Sequence, residues 1–419
     1  MSETYDQNKI KNQQNQQIDA ENQPDAENEQ LDAENEQLSE EDLDELKPKR
    51  DASYYEIKGD TDLNPDEDLD NDTLDENPED VDENPEDVDE NPEDVDENPE
   101  DVDEEPMLIQ GIDFSGEDFA ETSFAAKTIK DCIFKNCNLT GCDFTSALIA
   151  NCDFSEANLT DSTLDEAQIT DSTFIKANLA TTSFVRANFT NCNLESANCT
   201  KMVIQDGSLE NVNLNYACLA QATLMGLTNI PILQKCDLTQ THFLACDVSD
   251  LTIKESQAAM LILQDCSGKK MVFIDCDLTQ LIAMNGNFSD STFTNCTLIR
   301  AAFIGSQLLG ASFTASNLET ANFAQCDLTL AKLAQTPLTK ACFLKANLTQ
   351  ADFSKSDLTM ADFSHAKIER TNFSGANLTL ANFHAADLKQ AETGRANLTD
   401  VRGTDMDLLR AERFVPHAD

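Results

Sequence analysis

Fourteen cysteines and four histidines are the side chains of this 419-residue sequence that are best suited to bind a metal or to form disulfides. The four histidines are scattered along the chain, and no Cys-x-x-Cys pair occurs. Eleven of the cysteines share one position of a five-residue pattern, where cysteine alternates with alanine and serine. Free cysteine behaves as a small buried hydrophobe, so this placement predicts core packing with no metal and no cofactor, and it favours a reducing compartment. The eleven are Cys132, Cys137, Cys142, Cys152, Cys192, Cys236, Cys246, Cys266, Cys276, Cys296 and Cys326.

The pattern that contains these cysteines repeats every five residues from Phe114 to Leu408. Its central residue is apolar in two registers, 114 to 224 and 233 to 408, and 52 of the 59 central positions are Phe, Leu or Ile. A small residue stands two positions before the centre, Asn or Asp often precedes it, and Ser or Thr often follows it. A period of five fits neither a helix nor a strand, whereas a short fixed period is typical of a solenoid.

The segment 107–408 resembles the pentapeptide-repeat family, whose pattern is Ala-Asp/Asn-Leu/Phe-Ser/Thr-X; the stretch 346–350, Ala-Asn-Leu-Thr-Gln, shows it plainly. The resemblance implies an all-β fold, a right-handed quadrilateral β-helix with four pentapeptides per coil. The 59 units would then make about 15 coils, and a strand spacing of ~4.8 Å gives a rod about 70 Å long. Residues twenty apart would stack.

Stacking at this interval predicts two ladders of phenylalanine that face each other across the core, with leucine on the other two sides. Such an arrangement would fill a narrow square core at uniform density. The expected ladders are Phe293, Phe313, Phe353 and Phe373 on one face, Phe303, Phe323, Phe343, Phe363 and Phe383 on the opposite face, and leucines at 298, 318, 338, 358 and 378 and at 308, 328, 348 and 388.

The two ends of the chain differ from the repeat. Residues 1–106 hold 43 Asp and Glu against 6 Lys and Arg, with heptapeptide repeats at 25–38 and 75–102. This composition predicts a disordered acidic low-complexity tail. Its aromatic interruption at 53–57, Ser-Tyr-Tyr-Glu-Ile, is either a docking motif or, as we prefer, chance composition. Residues 409–419, with Leu409, Phe414 and Val415, are predicted to be a C-terminal cap or tail, and the family resemblance implies a possible homodimer through this end.

Composition also limits the classes of function. The formal net charge is −51, which disfavours direct binding to nucleic acid or anionic membrane. No apolar run of about 18 residues predicts a membrane span, and no apolar leader segment is visible. We therefore expect a cytoplasmic protein, with secretion by a signal-peptide-independent route as the alternative. The nucleotide-binding, serine-hydrolase and metalloprotease motifs are all absent from the sequence. The sequence therefore does not predict an enzyme.

Candidate partner-binding residues lie where the pattern falters or where charge and apolar groups concentrate. The register slips at 225–232, which suggests a loop or kink. Between 251 and 283 the centres shrink while the small positions grow, which predicts a repacked core, and the segment 267–270 is expected to bulge outward. The candidates are Gly226, Asn229 and Pro231 at the slip, Lys269 and Lys270 in the repacked zone, Asp161, Glu166 and Asp171 in an early acidic cluster, and Met360 and Leu380, which would stack.

The leading functional hypothesis is a non-catalytic scaffold that binds a protein partner. One alternative follows from the family resemblance, which includes DNA mimics that protect type II topoisomerases such as DNA gyrase. Duplex DNA carries about 40 charges over 70 Å, whereas residues 107–419 carry 36 acidic against 22 basic residues, a net charge of −14. The other alternative is a bacterial effector or a protein associated with a secretion system.

Overall fold

The computed structural model describes residues 107–413, and these form a single parallel β-solenoid with two short helical segments near its end. The predicted tail at 1–106 and the predicted cap residues Phe414 and Val415 lie outside the described residues. The strands are β1 (Leu108–Gln110), β2 (Thr128–Lys130), β3 (Leu148–Ala150), β4 (Gln168–Thr170), β5 (Ser183–Val185), β6 (Asn188–Thr190), β7 (Val203–Gln205), β8 (Ser208–Glu210), β9 (Thr223–Met225), β10 (Leu233–Gln234), β11 (His242–Leu244), β12 (Thr252–Lys254), β13 (Ile262–Gln264), β14 (Val272–Ile274) and β15 (Thr292–Thr294), followed by a 3₁₀ turn (Leu388–Gln390) and helix α1 (Met406–Glu412).

A regular coil of the solenoid contains twenty residues. Strand β1 pairs with β2 in parallel, so that Ile109 lies opposite Ile129, and the same interval recurs along the rod. One column of stacked residues runs from Asp118 to Asn397 and contains fifteen positions, one for each coil. The predicted stacking interval and the predicted number of coils are both confirmed.

Four columns of pairing give the coil four sides. Three sides are sheets, with strand orders β1-β2-β3-β4-β6-β8, β13-β11-β9-β7-β5 and β10-β12-β14-β15. We call them the six-stranded, five-stranded and four-stranded sides. The fourth, which we call the bridge side, consists of isolated parallel bridges in the column from Asp118 to Asn397. The predicted all-β solenoid fold is therefore confirmed.

The core contains the two predicted ladders of phenylalanine. Rings twenty residues apart stack in parallel: the centroid of Phe343 lies 5.3 Å from that of Phe323 and 5.0 Å from that of Phe363. Rings on opposite sides meet edge to face, as Phe343 and Phe353 do at 5.2 Å and 84°. Such offset and edge-to-face contacts are the arrangements that aromatic rings prefer. The leucines of the other two sides are buried between the ladders, except Leu388, which is partly buried.

The corners lie at the variable fifth position of the repeat. The backbone there is left-handed, with φ of 63° at Glu121 and 58° at Lys176. At many corners the carbonyl of the central residue accepts a hydrogen bond from the residue three positions on, as Phe114 does from Glu117 at 3.0 Å. A turn of this kind needs positive φ at its third residue. The Asn, Asp, Ser and Thr that flank the centre therefore do not occupy the left-handed position of the corner.

The predicted register slip is present as one coil of nineteen residues. Leu224 pairs with Phe243, an interval of nineteen, and regular pairing resumes in the next coil. Leu227 is buried and Ile230 is partly buried against the core. These two side chains occupy the space that a regular centre would fill, so the coil loses one residue without losing its core.

The predicted repacking between 251 and 283 is also confirmed. Ala258 and Ala283 occupy central positions, and the enlarged side chains of Leu261 and Leu281 are fully buried. At Gly268 an added Cβ would lie 2.8 Å from the ring of Phe288, which shows that neighbouring side chains fill the space of the missing centre.

The expected outward bulge at 267–270 is wrong. Ser267 pairs in parallel with Asp247 and with Asn287, and the Gly268 N–H donates to the Asn287 carbonyl at 2.9 Å. The backbone keeps its regular path in the solenoid because the hydrogen bonds between coils continue and because the core beneath Gly268 is filled.

The series of buried central residues ends before Leu408, although the sequence pattern extended to that residue. Asp405 caps helix α1, since its side chain accepts from the N–H groups of Asp407 and Leu408, and Leu408 itself is 48% exposed. The buried series ends here because the central positions Thr393 and Gly403 have no large apolar side chain. Within 107–413, none of the helical segments has the length and apolar character needed to cross a membrane.

Candidate functional site

The three acidic candidates lie on three successive corners of the rod. Asp161, Glu166 and Asp171 all have positive φ, between 50° and 60°, and a separation of five residues moves each one to the next side. Each is engaged by its neighbour in the following coil: Asp161 by Thr181, Glu166 by Arg186 and Asp171 by Asn191. The structure therefore does not bring them together as one acidic surface.

The candidates at the slip lie on the surface between two sides of the rod. Gly226 and Asn229 have φ of 65° and 54°, and an added Cβ on Gly226 would lie 2.3 Å from the Asp206 carboxylate oxygen. Asn229 is exposed, and Pro231 is half-buried. The segment 225–232 differs in backbone path from the regular repeats beside it, and it stays a predicted contact region.

The two lysine candidates and the two apolar candidates occupy regular turns. Lys269 and Lys270 are exposed side by side, and the Lys270 N–H donates to the Ser289 carbonyl at 2.9 Å. Met360 and Leu380 share one corner with an interval of twenty, and Met360 is 47% exposed. The structure does bring Met360 and Leu380 together, as a small apolar contact.

A larger apolar surface, which sequence reasoning missed, covers the five-stranded side of the rod. Side chains that flank the buried centres of its strands point outward, and here several of them are apolar. Ile282 and Met284 continue this side beyond β13, and each is 39% exposed. We call this surface the apolar face; its members are Val203, Met225, Leu244, Ile262, Ile282, Met284 and Ile304.

An open groove of about 820 Å³ runs along the edge of the apolar face. Its rim is a corner column that contains Gln221, Gln240, Met260, Gln280 and Arg300. The Gln221 amide donates to the Gln240 side-chain oxygen at 3.0 Å. Arg300 is the one charged side chain in this rim, so the groove is apolar and nearly neutral within an acidic molecule.

The adjacent bridge side shows what a regular side looks like. Thr279 donates from its N–H to Asp277 at 3.0 Å and from its hydroxyl to the same oxygen at 2.6 Å. The flanking residues of the repeat thus normally hydrogen-bond each other across the centre. Ile282 and Met284 replace this polar pair, and that departure from the repeat is the sequence feature that could have revealed the apolar face.

A second cluster lies at the end of the rod, where α1 meets the last coils. His365 and His384 each place Nε2 3.2 Å from the same Glu412 carboxylate oxygen, and their ring centroids are 5.3 Å apart. The description of the histidines as scattered is wrong for these two. Their separation of nineteen residues, nearly one coil, is what brings them together.

The hydrogen bonds of His384 define the chemistry of this cluster. The Asp405 N–H donates to His384 Nδ1 at 3.2 Å, so the ring proton lies on Nε2 and is donated to Glu412. The hydrogen bond from His384 and the nearby His365 hold the pKa of Glu412 below its ordinary value. Although three potential metal ligands converge here, His384 Nε2 is used as a donor, and the cluster fits a latch that holds α1 on the rod.

The predicted core placement of the cysteines is confirmed. All eleven cysteines at the small position are buried and free. Burial raises the pKa of Cys192 and of Cys236 to about 11, so these thiols stay neutral and unreactive near neutral pH.

Comparison with known proteins agrees with this geometry. The model of the pentapeptide repeat region matches residues 109–184 and 296–373, and the model of eight pentapeptide repeats matches 172–202 and 356–392. These matches show that the chain contains pentapeptide repeats over residues 109–202 and 296–392. The apolar face and its repacked core lie largely between the matched segments, because there the residues depart from the repeat.

Several solved structures are similar over parts of the chain. A pentapeptide repeat protein from the thylakoid lumen of Arabidopsis thaliana is 29% identical over 26% of this chain and 74% of its own, with a TM-score of 0.21. QnrB1, a plasmid-mediated fluoroquinolone resistance protein, is 17% identical over 59% and 97%, with a TM-score of 0.22. HetL, involved in heterocyst differentiation regulation in Nostoc sp. strain PCC 7120, is 18% identical over 57% and 86%, with a TM-score of 0.17. No curated protein sequence matches the chain.

Proposed function

We propose that this protein is a non-catalytic scaffold that binds a protein partner through the apolar face. The observation that carries the proposal is the exposure of Ile282 and Met284, each 39% exposed, in positions where the repeat normally places a hydrogen-bonded polar pair. Apolar side chains concentrated on one side of a soluble protein mark interaction surfaces.

The geometry of the apolar face suits a protein better than a small molecule. Its strands are held by continuous parallel pairing, as in the pairing of β9 with β11 and of β11 with β13. The surface is therefore rigid before binding, which lowers the entropy cost of association. Its groove is open along its length and is lined mainly by amide and aliphatic side chains, so it offers shape and apolar area with few groups for chemistry.

The charges of the rod give less support to the alternative of DNA mimicry. Many of the aspartates that precede a centre accept hydrogen bonds within the rod; Ser115, for example, donates from its hydroxyl and its N–H to the same carboxylate oxygen of Asp113, which leaves that oxygen less available to a partner. The three acidic candidates also point from different corners. Protection of DNA gyrase from a quinolone in a supercoiling assay would support mimicry over the scaffold proposal.

A capture experiment with matched variants tests the proposal. Tagged full-length protein, Ile282→Asp and Leu309→Asp are each exposed to lysate of the source organism, and bound proteins are identified by mass spectrometry. Leu309 is a matched control because it is 41% exposed on a different side of the rod. We expect a partner that the wild type and Leu309→Asp retain and that Ile282→Asp loses, since an aspartate in an apolar contact is costly to bury.

The result that would reject the proposal is equally specific. If both variants retain every protein that the wild type captures, and circular dichroism shows that both are folded, the apolar face is not the binding surface. Loss of the partner in Leu309→Asp alone would move the binding surface to the six-stranded side.

A further inference from the structure

We propose that residues 47–58 of the same chain dock on the apolar face and compete there with the partner, an inference that rests on the proposed function of that face. The segment reads Lys-Pro-Lys-Arg-Asp-Ala-Ser-Tyr-Tyr-Glu-Ile-Lys. When bound there, the segment would cover the apolar face until a partner displaces it. Four properties support this occupant: the width of the face, the composition of the segment, its charge and its distance from the rod.

The width of the apolar face fits one peptide segment and not a second copy of the rod. From Val203 to Ile304 the face spans six successive coils, about 24 Å at ~4.8 Å per coil. With a width of about 10 Å, the area is on the order of 250 Å². A stable dimer needs about 800 Å² from each partner, whereas an extended segment of about eight residues covers 24 Å at ~3.3 Å per residue.

The segment 47–58 contains the apolar side chains that such a face requires. Tyr54 and Tyr55 are two of the three tyrosines in residues 1–106, and Ile57 follows two positions after Tyr55. In an extended peptide, Tyr55 and Ile57 lie on the same side. They can therefore contact the face together, as alternate side chains do when a strand-like peptide binds a protein surface.

The charge of the segment is opposite to that of the rod. Residues 47–58 contain four basic residues, Lys47, Lys49, Arg50 and Lys58, against Asp51 and Glu56, a net charge of +2. Asp206 and Asp265 are exposed at the corner that borders the apolar face on the side away from the groove. Attraction between these groups adds orientation to the apolar contact. The heptapeptide repeats at 75–102 carry no basic residue and are repelled from the same acids.

The connection to the rod is long enough for the contact. The face is centred near Ile262, about eight coils from Met107, or roughly 40 Å along the rod. Residues 59–106 are 48 residues, and a chain of that length reaches at most about 160 Å when extended. Since the segment is tethered to its own binding face, its effective concentration is high and a weak contact is sufficient.

A photo-crosslinking experiment on the full chain tests the contact. Tyr55 is replaced by p-benzoylphenylalanine, which reacts preferentially with methionine side chains, and the product is irradiated at low micromolar concentration and mapped by mass spectrometry. The inference predicts an intramolecular crosslink to Met260 or Met284, with a yield that does not depend on protein concentration. Ile282→Asp should reduce the yield about tenfold, which corresponds to 1.4 kcal/mol of contact, and Leu309→Asp should leave it unchanged.

Other outcomes would overturn the inference. A crosslink between two chains, with a yield that rises with concentration, would assign the face to a second copy. Crosslinks spread over all sides of the rod, or none, would show that the segment does not dock. If Ile282→Asp fails to fold, Met284→Asp replaces it, with the crosslink to Met260 as the readout.

The partner experiment separates this inference from the proposed function. Tyr55→Ser combined with Ile57→Ser should increase capture of the partner several-fold because the competitor is weakened. Unchanged capture by that variant, with capture still lost in Ile282→Asp, would reject the docking of 47–58 and leave the scaffold function standing. If the specific crosslink forms but no captured protein depends on the apolar face, the docking of 47–58 stands and the scaffold function is rejected.

Discussion

The middle coils, residues 225–304, and the following coils, residues 305–383, share one hydrogen-bond lattice but differ in core and in surface. The Ala258 N–H donates to the Asp277 backbone carbonyl at 2.8 Å, and the Phe343 N–H donates to the Asp362 backbone carbonyl at 2.7 Å. In the following coils the centres on two sides are mainly phenylalanine, whereas the middle coils include Ala258 and Ala283 as centres with enlarged leucines beside them.

The difference between the two regions shows that the lattice does not depend on one core composition. The period of five and the left-handed corner define the path of the chain, and the volume inside can be divided between neighbouring positions in more than one way. Outside, the middle coils replace the usual polar pairs by Ile282 and Met284. The rearranged core and the apolar surface occur in the same coils, as we expect if this region has the proposed binding role.

The largest expected effect is on the phenylalanine ladder. Phe343→Ala removes a ring that is fully buried and stacked on Phe323 and Phe363. We expect a loss of about 3–5 kcal/mol in the free energy of unfolding, measured by denaturant unfolding. An unchanged midpoint would contradict the inward placement of the ladder.

A similar loss is expected in the middle coils from a residue that the repeat would make small. Leu281 is fully buried next to the small centres, so Leu281→Ala should cost about 2–5 kcal/mol. The same unfolding measurement applies. A cost below about 1 kcal/mol would mean that the middle coils have lost their core and have not repacked it.

Overpacking gives a smaller and more local test. Gly286 has the Phe288 ring where its Cβ would be, 2.5 Å away, and Phe288 is buried and cannot easily move. Gly286→Ala should therefore cost about 1–3 kcal/mol. Gly394→Ala is the control, since its nearest neighbour would be the Ser374 hydroxyl at 3.8 Å, and it should change stability by less than about 0.5 kcal/mol.

The smallest effect concerns the latch at the end of the rod. The pKa of Glu412 is lowered in the folded state, so its contribution is complete above the ordinary value of 4.5 and is lost as the pH falls through the lowered value. Hydrogen exchange of α1 should therefore accelerate below about pH 4.5 relative to the rod. In Glu412→Gln the exchange of α1 should not depend on pH in this way, apart from the intrinsic exchange rate. The same pH dependence in both proteins would show that Glu412 does not hold the helix.

Much of the fold could be predicted because each repeat has the same order of residue types. The small residue, the polar flank and the large centre together predict the coil length, the ladders and the burial of the cysteines. Two features escaped prediction because they depend on contacts between coils. His365 and His384 are nineteen residues apart, so they lie in neighbouring columns and the twenty-residue interval does not pair them. The apolar face appears only when outward positions are compared along one side. The left-handed corner was missed because its residues vary; Lys176 and Glu121 give no local sign of positive φ.

We propose that the apolar face serves binding and not stability, and the double variant Ile282→Asp/Met284→Asp tests this proposal directly. Its thermal midpoint and its capture of the partner are measured on the same preparation. Because both side chains are partly exposed, we expect a midpoint within a few degrees of wild type and loss of the partner. A folded double variant that captures the partner as well as the wild type does would show that the apolar face is not the binding surface.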